Sequence, residues 1–323
     1  MVQRLVLPDT TAARVLIAGD IMLDRYWFGD VRRISPEAPV PVAKINRVEN
    51  RLGGGANVAR NVQTLGAQAV LLSVVGTDEA GQALSKLVAE SAIQALLHED
   101  SQLPTTVKLR VISRHQQLIR LDFEQAPDYE ILNTCLHDFE RSLEACKAVI
   151  LSDYGKGGLT HIERMISSAR AANKPVLIDP KGNNYDRYRG ATLITPNSDE
   201  LRQVTGDWDS EQALARKAAS LLHKLELKAI LLTRAEEGMS LFEADGTVTH
   251  VEAVAREVFD VSGAGDTVIA TCATMLACGL ALADAMRFAN LAAGVVVGKL
   301  GVATCSRAEL SQEFKQAVDQ GTG

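Results

Sequence analysis

The chain is expected to fold as an α/β protein, a doubly wound and mostly parallel sheet carrying a small β-sheet lid. Three observations lead there. Short apolar runs alternate with amphipathic stretches of helical length, several of those runs end in a polar residue, and a glycine-rich turn, Gly263-Ala264-Gly265-Asp266, opens onto a long apolar stretch. Strands that are apolar on both faces belong to parallel sheets covered by crossover helices. Ligands of such sheets sit beyond the carboxyl ends of the strands.

Residues 14–18 read as the first buried strand, ending at Gly19-Asp20. Asp20 there is either a ligand contact or a turn residue. The chain then changes manner. Residues 25–48 mix aromatics and arginines with Pro36, Pro39 and Pro41, a spacing that suits edge strands and turns. Residues 105–123 are written the same way: Val107, Leu109 and Val111, then Ile119, Leu121 and Phe123, keep a period of two among Arg110, Arg114 and Arg120. Two excursions, at about 22–50 and 104–125, are therefore expected to build a lid on one domain spanning 1–323. Between them, Gly53-Gly54-Gly55-Ala56-Asn57 leads into a helix that runs through Leu65 to Gly66. The run lacks the third glycine of a dinucleotide fingerprint, which argues against a Rossmann NAD site. It suits either a polyhydroxy ligand lying against backbone, with Asn57 as donor and acceptor, or a hinge under the lid.

Residues 71–76, 148–153, 175–179, 191–195 and 229–233 read as further buried strands, with helices around 162–172 and 211–225 between them. Asp20, Asp153, Asp179, Thr195 with Asn197, and Thr233 then fall at one sheet edge. The uncharged run 267–283 is shorter than the ~20 residues of a membrane span and is expected as a helix buried in the core. A last helix follows Thr304. In the glycine turn, Asp266 stands where a helix start favours anions. A carboxylate there either takes a proton from an attacking hydroxyl beside a transferring phosphate, or only caps the helix.

Composition narrows the partners. A formal net charge of −6 and 4% aromatic residues argue against nucleic acid or a membrane surface. Five cysteines, an odd number with no CxxC pair, read as reduced thiols in a cytoplasm, and the chain is expected to carry no targeting leader.

The stretches DVSGAGD, GGGAN and TPNSDE and the strand end at Leu231-Leu232-Thr233-Arg234 together resemble the ribokinase-like carbohydrate kinases over nearly the whole chain. Within them, RISPEAPVPV followed by GGGANVARN is similar to the heptose 7-phosphate kinases of lipopolysaccharide inner-core synthesis. The resemblance implies a core of about nine strands, with a lid that closes over the sugar and joins two copies as a homodimer. It implies ATP and Mg²⁺, with a monovalent cation as a further candidate. Asp266 would be the catalytic base, with the N–H groups of Gly263, Ala264 and Gly265 as the anion hole. Asp20, Gly53, Gly54 and Asn57 would contact sugar. Asn197, Ser198, Asp199, Glu200, Thr233, Gly238 and Asn290 would lie on the nucleotide side. Asn197 and Glu200 would hold Mg²⁺ through water, although Asn-x-x-Glu by itself is also a common helix start. The family commonly has glycine where this chain has Ala235.

The substrate's own phosphate needs cations, for which Lys156 is the first choice ahead of Arg25, Arg32, Arg33, Arg51, Arg110, Arg120 and Lys181. The reading implied is ATP-dependent phosphorylation of D-glycero-D-manno-heptose 7-phosphate at its anomeric C1 hydroxyl, en route to ADP-heptose, without the nucleotidyltransferase that some heptose kinases carry fused. The alternatives are a kinase of another sugar or sugar phosphate, or a non-catalytic sugar-phosphate sensor.

Overall fold

Successive side chains of β1 (Arg14–Gly19) go to opposite faces, Val15 and Ile17 into one core cluster and Leu16 and Ala18 into the other. A strand dry on both sides needs helices on both sides, and the chain supplies them in turn. The computed structural model describes residues 5–114, 116–254, 258–299 and 301–319. After β1 the chain leaves as a long antiparallel ribbon, β2 (Ile21–Ile34) and β3 (Pro41–Gly54), and returns at α1 (Gly55–Thr64). It continues through β4 (Gln68–Gly76), α2 (Glu79–Glu90) and β5 (Gln94–Asp100). A second excursion, β6 (Val107–Ser113) and β7 (Gln116–Phe123), precedes α3 (Tyr129–Ser142), β8 (Ala148–Ser152), α4 (Ile162–Ala171) and β9 (Val176–Asp179). Then come β10 (Leu193–Ile194), α5 (Ser198–Thr205), α6 (Glu211–Leu225) and β11 (Ala229–Thr233). Two antiparallel strands, β12 (Met239–Glu243) and β13 (Val248–Val251), and three helices, α7 (Ala264–Ala277), α8 (Leu282–Val297) and α9 (Arg307–Asp319), complete the order.

Nine strands form the main sheet in the order β13-β12-β11-β10-β9-β8-β1-β4-β5. It is parallel from β5 to β11 and turns antiparallel at β12 and β13. The chain winds outward from β1 through β4 to β5, then the other way from β8 to β11. That reversal opens a crevice beyond the carboxyl ends of β1 and β8. Helices α1, α2 and α7 cover one face and α3, α4 and α6 the other.

The second sheet, ordered β3-β2-β6-β7, is built from the two proline- and arginine-marked excursions. Its register sets Asp24 opposite Lys108 and Tyr26 opposite Arg110. Because side chains alternate along a strand, one face carries Leu23, Leu52, Val107, Leu109 and Val111 into the core. The other carries Asp24, Lys108 and Arg110, with the Lys108 ammonium 5.4 Å from the centre of the Tyr154 ring.

Two expectations are corrected. The apolar run 267–283 is not one helix: α7 ends at Ala277, Gly279 turns the chain at φ +88°, and α8 begins at Leu282. Thr271 and Thr274 are tolerated inside α7 because their hydroxyls donate to the carbonyls of Thr267 and Ala270, at 2.7 and 2.8 Å. None of the described helices is long and apolar enough to cross a membrane. The strand expected at 191–195 shrinks to two residues. Strands β5, β12 and β13 carry no strong sequence signal, since β5 and β13 lie at the sheet's edges and are only partly buried.

Asp78 joins the two sheets. Its carboxylate caps α2 through the Gly81 N–H at 2.8 Å and also accepts the N–H and hydroxyl of Thr105, at 3.0 and 2.6 Å, just ahead of β6. Loss of an N-cap acceptor costs about 0.5–2 kcal/mol. Asp78→Ala is therefore expected to lower the unfolding free energy by about 0.5–2 kcal/mol, read as a lower urea midpoint at unchanged m-value, and a midpoint equal to that of the parent chain refutes the role.

Candidate active site

At the start of α7, Gly263 takes φ +79°, a left-handed conformation that a side chain would oppose. The turn it makes sets Asp266 in the first helical turn with 6% of its surface exposed. Each carboxylate oxygen has a donor from a distant part of the chain: Asn57 Nδ2 to Oδ2 at 2.6 Å and Tyr154 Oη to Oδ1 at 2.7 Å. One turn further along α1, Asn61 Oδ1 accepts the hydroxyl of Thr267, the residue after Asp266, at 2.9 Å. Asn57 and Asn61 lie four apart on α1 and so share a face, which pins α1 along the beginning of α7. Burial lifts the Asp266 carboxyl to a pKa of about 6, against the opposing pull of the Asn57 and Tyr154 hydrogen bonds. Asn57 itself is fully buried, and its Oδ1 has no partner.

A cavity of about 200 Å³ opens beside Asp266, lined by Asp153, Asp179, Asn197, Glu200, Thr233, Gly263 and Gly265 among others. These are the strand-end residues of β8, β9 and β11 and the first turns of α5 and α7, gathered by the parallel topology at one edge. Asp179 has its carboxyl held well above the usual range, first by burial and then by the negative charges of Asp266 and Glu200. Lys181 answers part of that charge through Glu200, 3.1 Å away. The helix-start reading of Asn197 is realised as a capping box: Asn197 Oδ1 accepts the Glu200 N–H at 2.9 Å and Glu200 returns to the Asn197 N–H at 3.1 Å. Both side chains nonetheless line the cavity, so capping and ligand contact are compatible.

Other anticipated residues lie elsewhere. Ser198 and Asp199 do not line this cavity; Asp199 is exposed and pairs with Arg202 at 3.4 Å, because successive helix positions point to different faces. The Ala264 N–H is turned back onto the Val261 carbonyl at 3.2 Å, and Ala264, unlike Gly263 and Gly265, does not line the cavity. Asn290 donates to the Glu252 carbonyl at 2.8 Å and so ties α8 to the segment after β13. At Gly238 a Cβ would run into the Val251 carbonyl, so packing at the sheet edge accounts for the glycine.

On the second-sheet side, Asp20 accepts the N–H groups of Tyr154 and Lys156, each at 2.9 Å, and of Gly158 at 2.8 Å. Burial still raises its pKa. Asp20 thus anchors the loop after β8. Gly53 and Gly54 end β3, where a Cβ at Gly53 would meet the Asp24 carboxylate and one at Gly54 the Asp20 carbonyl. Lys156 bonds Glu124, at the end of the second sheet. Arg110 is held by Asp24 at 2.5 Å, and Arg25 by Glu79 at 2.8 Å. Two residues of the neighbourhood carry no assignment from sequence, Tyr154 and Lys108. Lys108 had a legible signal, as a charged position in an otherwise alternating apolar strand; Tyr154 had only its place next to a strand end.

Residues 12–309 match the family model described as pfkB family carbohydrate kinase. The chain is 54% identical over 301 residues to the D-beta-D-heptose 7-phosphate kinase of Bordetella bronchiseptica, covering 93% of this chain and 96% of that protein. It is 48% identical over 320 residues to the bifunctional protein HldE of Proteus mirabilis, covering 99% of this chain and 68% of that one. Among solved structures, phosphofructokinase-2 from Escherichia coli in complex with potassium superposes with a TM-score of 0.80 at 18% identity, over 95% of this chain and 99% of that one. Ribokinase from Arabidopsis thaliana complexed with ribose and ATP does so with a TM-score of 0.75 at 18% identity, over 96% and 99%. At that identity the structural likeness speaks for the ribokinase-like fold.

Ala235, just past β11, adopts φ +50°. A left-handed conformation costs a non-glycine residue roughly 1–2 kcal/mol, of which glycine's greater chain entropy returns about 0.5–1. Ala235→Gly is expected to stabilise the protein by about 0.5–1 kcal/mol in chemical denaturation, and no gain means the turn is unstrained.

Proposed function

The chain belongs to the pfkB family of carbohydrate kinases, and from that premise we propose that it transfers the γ-phosphoryl group of ATP to the C1 hydroxyl of D-glycero-D-manno-heptose 7-phosphate. The product is heptose 1,7-bisphosphate, a step toward the ADP-heptose used in the lipopolysaccharide inner core. The observation that carries the chemistry is the seating of Asp266, a buried carboxylate held by two donors at the mouth of a helix N-terminus. The high identity to a heptose 7-phosphate kinase supports the acceptor.

Asp266 removes the C1 hydroxyl proton as that oxygen attacks the γ-phosphorus and the bond to the ADP oxygen breaks. A pKa near 6 leaves it ionised at neutral pH while making it a stronger base than an ordinary carboxylate. The Gly263 and Gly265 N–H groups, at a helix end worth about half a positive charge, face the transferring group. Ala264 adds its own N–H only if its turn bond to Val261 opens.

The cavity's carboxylates outnumber Lys181, and beyond the effect of burial the charges of Asp266 and Glu200 raise the Asp179 pKa further. A hard divalent cation fits such an oxygen-rich site. Asn197 and Glu200 would hold Mg²⁺ through its water. Among the described residues no three His, Cys, Asp or Glu side chains form a direct metal cage, which suits an ion that keeps its hydration. When bound, Mg²⁺ supplies charge neutralisation at the phosphates.

For the substrate's own phosphate, Lys156 is joined by Lys108 and Arg110. Burial and the nearby charges of Lys156 and Arg110 depress the Lys108 pKa, and an anion between these cations would relieve that repulsion. The second sheet would close over the sugar as a lid and exclude water. Its edge strand β7 leaves Ile119, Leu121 and Phe123 about half exposed, which suits pairing of two copies through the lid. Free cysteines, four of them buried, suit a cytoplasmic location.

ATP consumption with heptose 7-phosphate, set against ribose and fructose 6-phosphate, tests the acceptor; preference for either competitor moves the chain to another sugar kinase. Asp266→Asn is expected to lose about 10²–10⁴ in kcat. In the parent enzyme kcat is expected to rise with pH through about 6 as Asp266 ionises, and a flat profile between pH 5 and 7 removes Asp266 as the base.

A further inference from the structure

Tyr154 stands between the two halves of the site. Its loop is fastened from below by Asp20, which accepts the Tyr154, Lys156 and Gly158 N–H groups. Its ring lies under the Lys108 ammonium, 5.4 Å from the centroid. Its hydroxyl spends its one proton on Asp266 Oδ1, at 2.7 Å. With Asn57 on Oδ2, the two donors meet the carboxylate from opposite ends and leave each oxygen a further lone pair for a substrate hydroxyl. Burial and the neighbouring Asp266 charge hold the phenol well above its ordinary pKa. It therefore stays protonated, a donor and not a proton carrier.

We infer that Tyr154 is a positioning residue of the phosphoryl transfer, whose hydroxyl fixes the orientation of the Asp266 carboxylate and favours its ionised form. The inference rests on Asp266 being the base. Besides Tyr154 and Asn57, the charged groups that face Asp266 are Asp24 from β2, Lys108 from β6 and Asp179 from β9. Replacing the tyrosine hydroxyl leaves all of these in place. Asp20 acts one step further back: it holds the loop, and the loop holds the hydroxyl.

The test is Tyr154→Phe in the full chain, assayed with ATP and heptose 7-phosphate from pH 5 to 9 after a thermal melt confirms folding. A carboxylate that loses a hydrogen bond to its charged form becomes less acidic. The acid limb of kcat is expected to move up by about half to one pH unit. At neutral pH kcat is expected to fall about 3- to 30-fold with KM within about 2-fold, as for an interaction made in the transition state. An unmoved acid limb overturns the inference, and so does a gain in kcat, which would mean that the hydroxyl occupies the acceptor's place.

Site-specific 3-fluorotyrosine, a stronger donor of nearly the same shape, is expected to move the limb the opposite way. It keeps the proposal falsifiable should the phenylalanine variant misfold. Carbon-detected NMR titration of Asp266 in the parent and variant needs no turnover. A chain inactive toward every sugar but showing the Asp266 shift sinks the kinase reading and leaves the contact; an active chain without the shift does the reverse.

Discussion

A carboxylate out of water is costly unless donors meet it, and Asp266 is met by two that lie 209 and 112 residues away in sequence. The rest of the molecule can be read as the means of bringing those three groups together. Helix α1 delivers Asn57 because the ribbon of β2 and β3 ends in glycines that let it cross tightly above Asp20. The loop after β8 delivers Tyr154 because Asp20, at the end of the neighbouring parallel strand, accepts three of its N–H groups. Helix α7 delivers the carboxylate itself, and Thr271 and Thr274 are satisfied by its own carbonyls and Thr267 by Asn61, so it can be buried almost all round. Neither hydrogen bond to Asp266 is local, so the site forms only as the fold closes.

Charge is divided across this clamp. On the main-sheet side the strand ends and first helical turns bring Asp153, Asp179 and Glu200 together with Asp266 against Lys181. On the second-sheet side Lys108, Arg110 and Lys156 gather near Asp24 and Glu124. In the proposed reaction the first side would take the cation-bearing nucleotide and the second the anionic sugar. Asp266 sits where the two meet, and it feels Asp24 and Lys108 as opposite pulls after its hydrogen bonds. The alternation of the second sheet makes this possible, since the same strands that present Lys108 and Arg110 to the crevice bury Val107, Leu109 and Val111 on their other face.

Much of the architecture was legible because the signals were local. Apolar runs of strand length, the change of manner at 25–48 and 105–123, and the glycine turn before Asp266 each carry a physical reason within a few residues. The weaker elements were not: β10 is two residues long, and β5 and β13 lie at sheet edges where partial exposure erases the pattern. In the site, Asp266, Asn57, Asn197, Glu200 and Thr233 could be singled out from motifs. Ser198 and Asp199 share the motif but not the cavity, because a helix turns successive residues to different faces.

Sequence alone determined the layered α/β class, the edge at which polar residues collect, and a carboxylate at a glycine-rich helix start, because strand burial and turn chemistry are written in adjacent residues. Tertiary structure decided what that carboxylate touches. It made Asp20 an anchor for a loop, set Tyr154 on Asp266, and brought Lys108 over Tyr154, since hydrogen-bond partners and depressed or raised pKa values depend on distances between segments that the chain order does not contain.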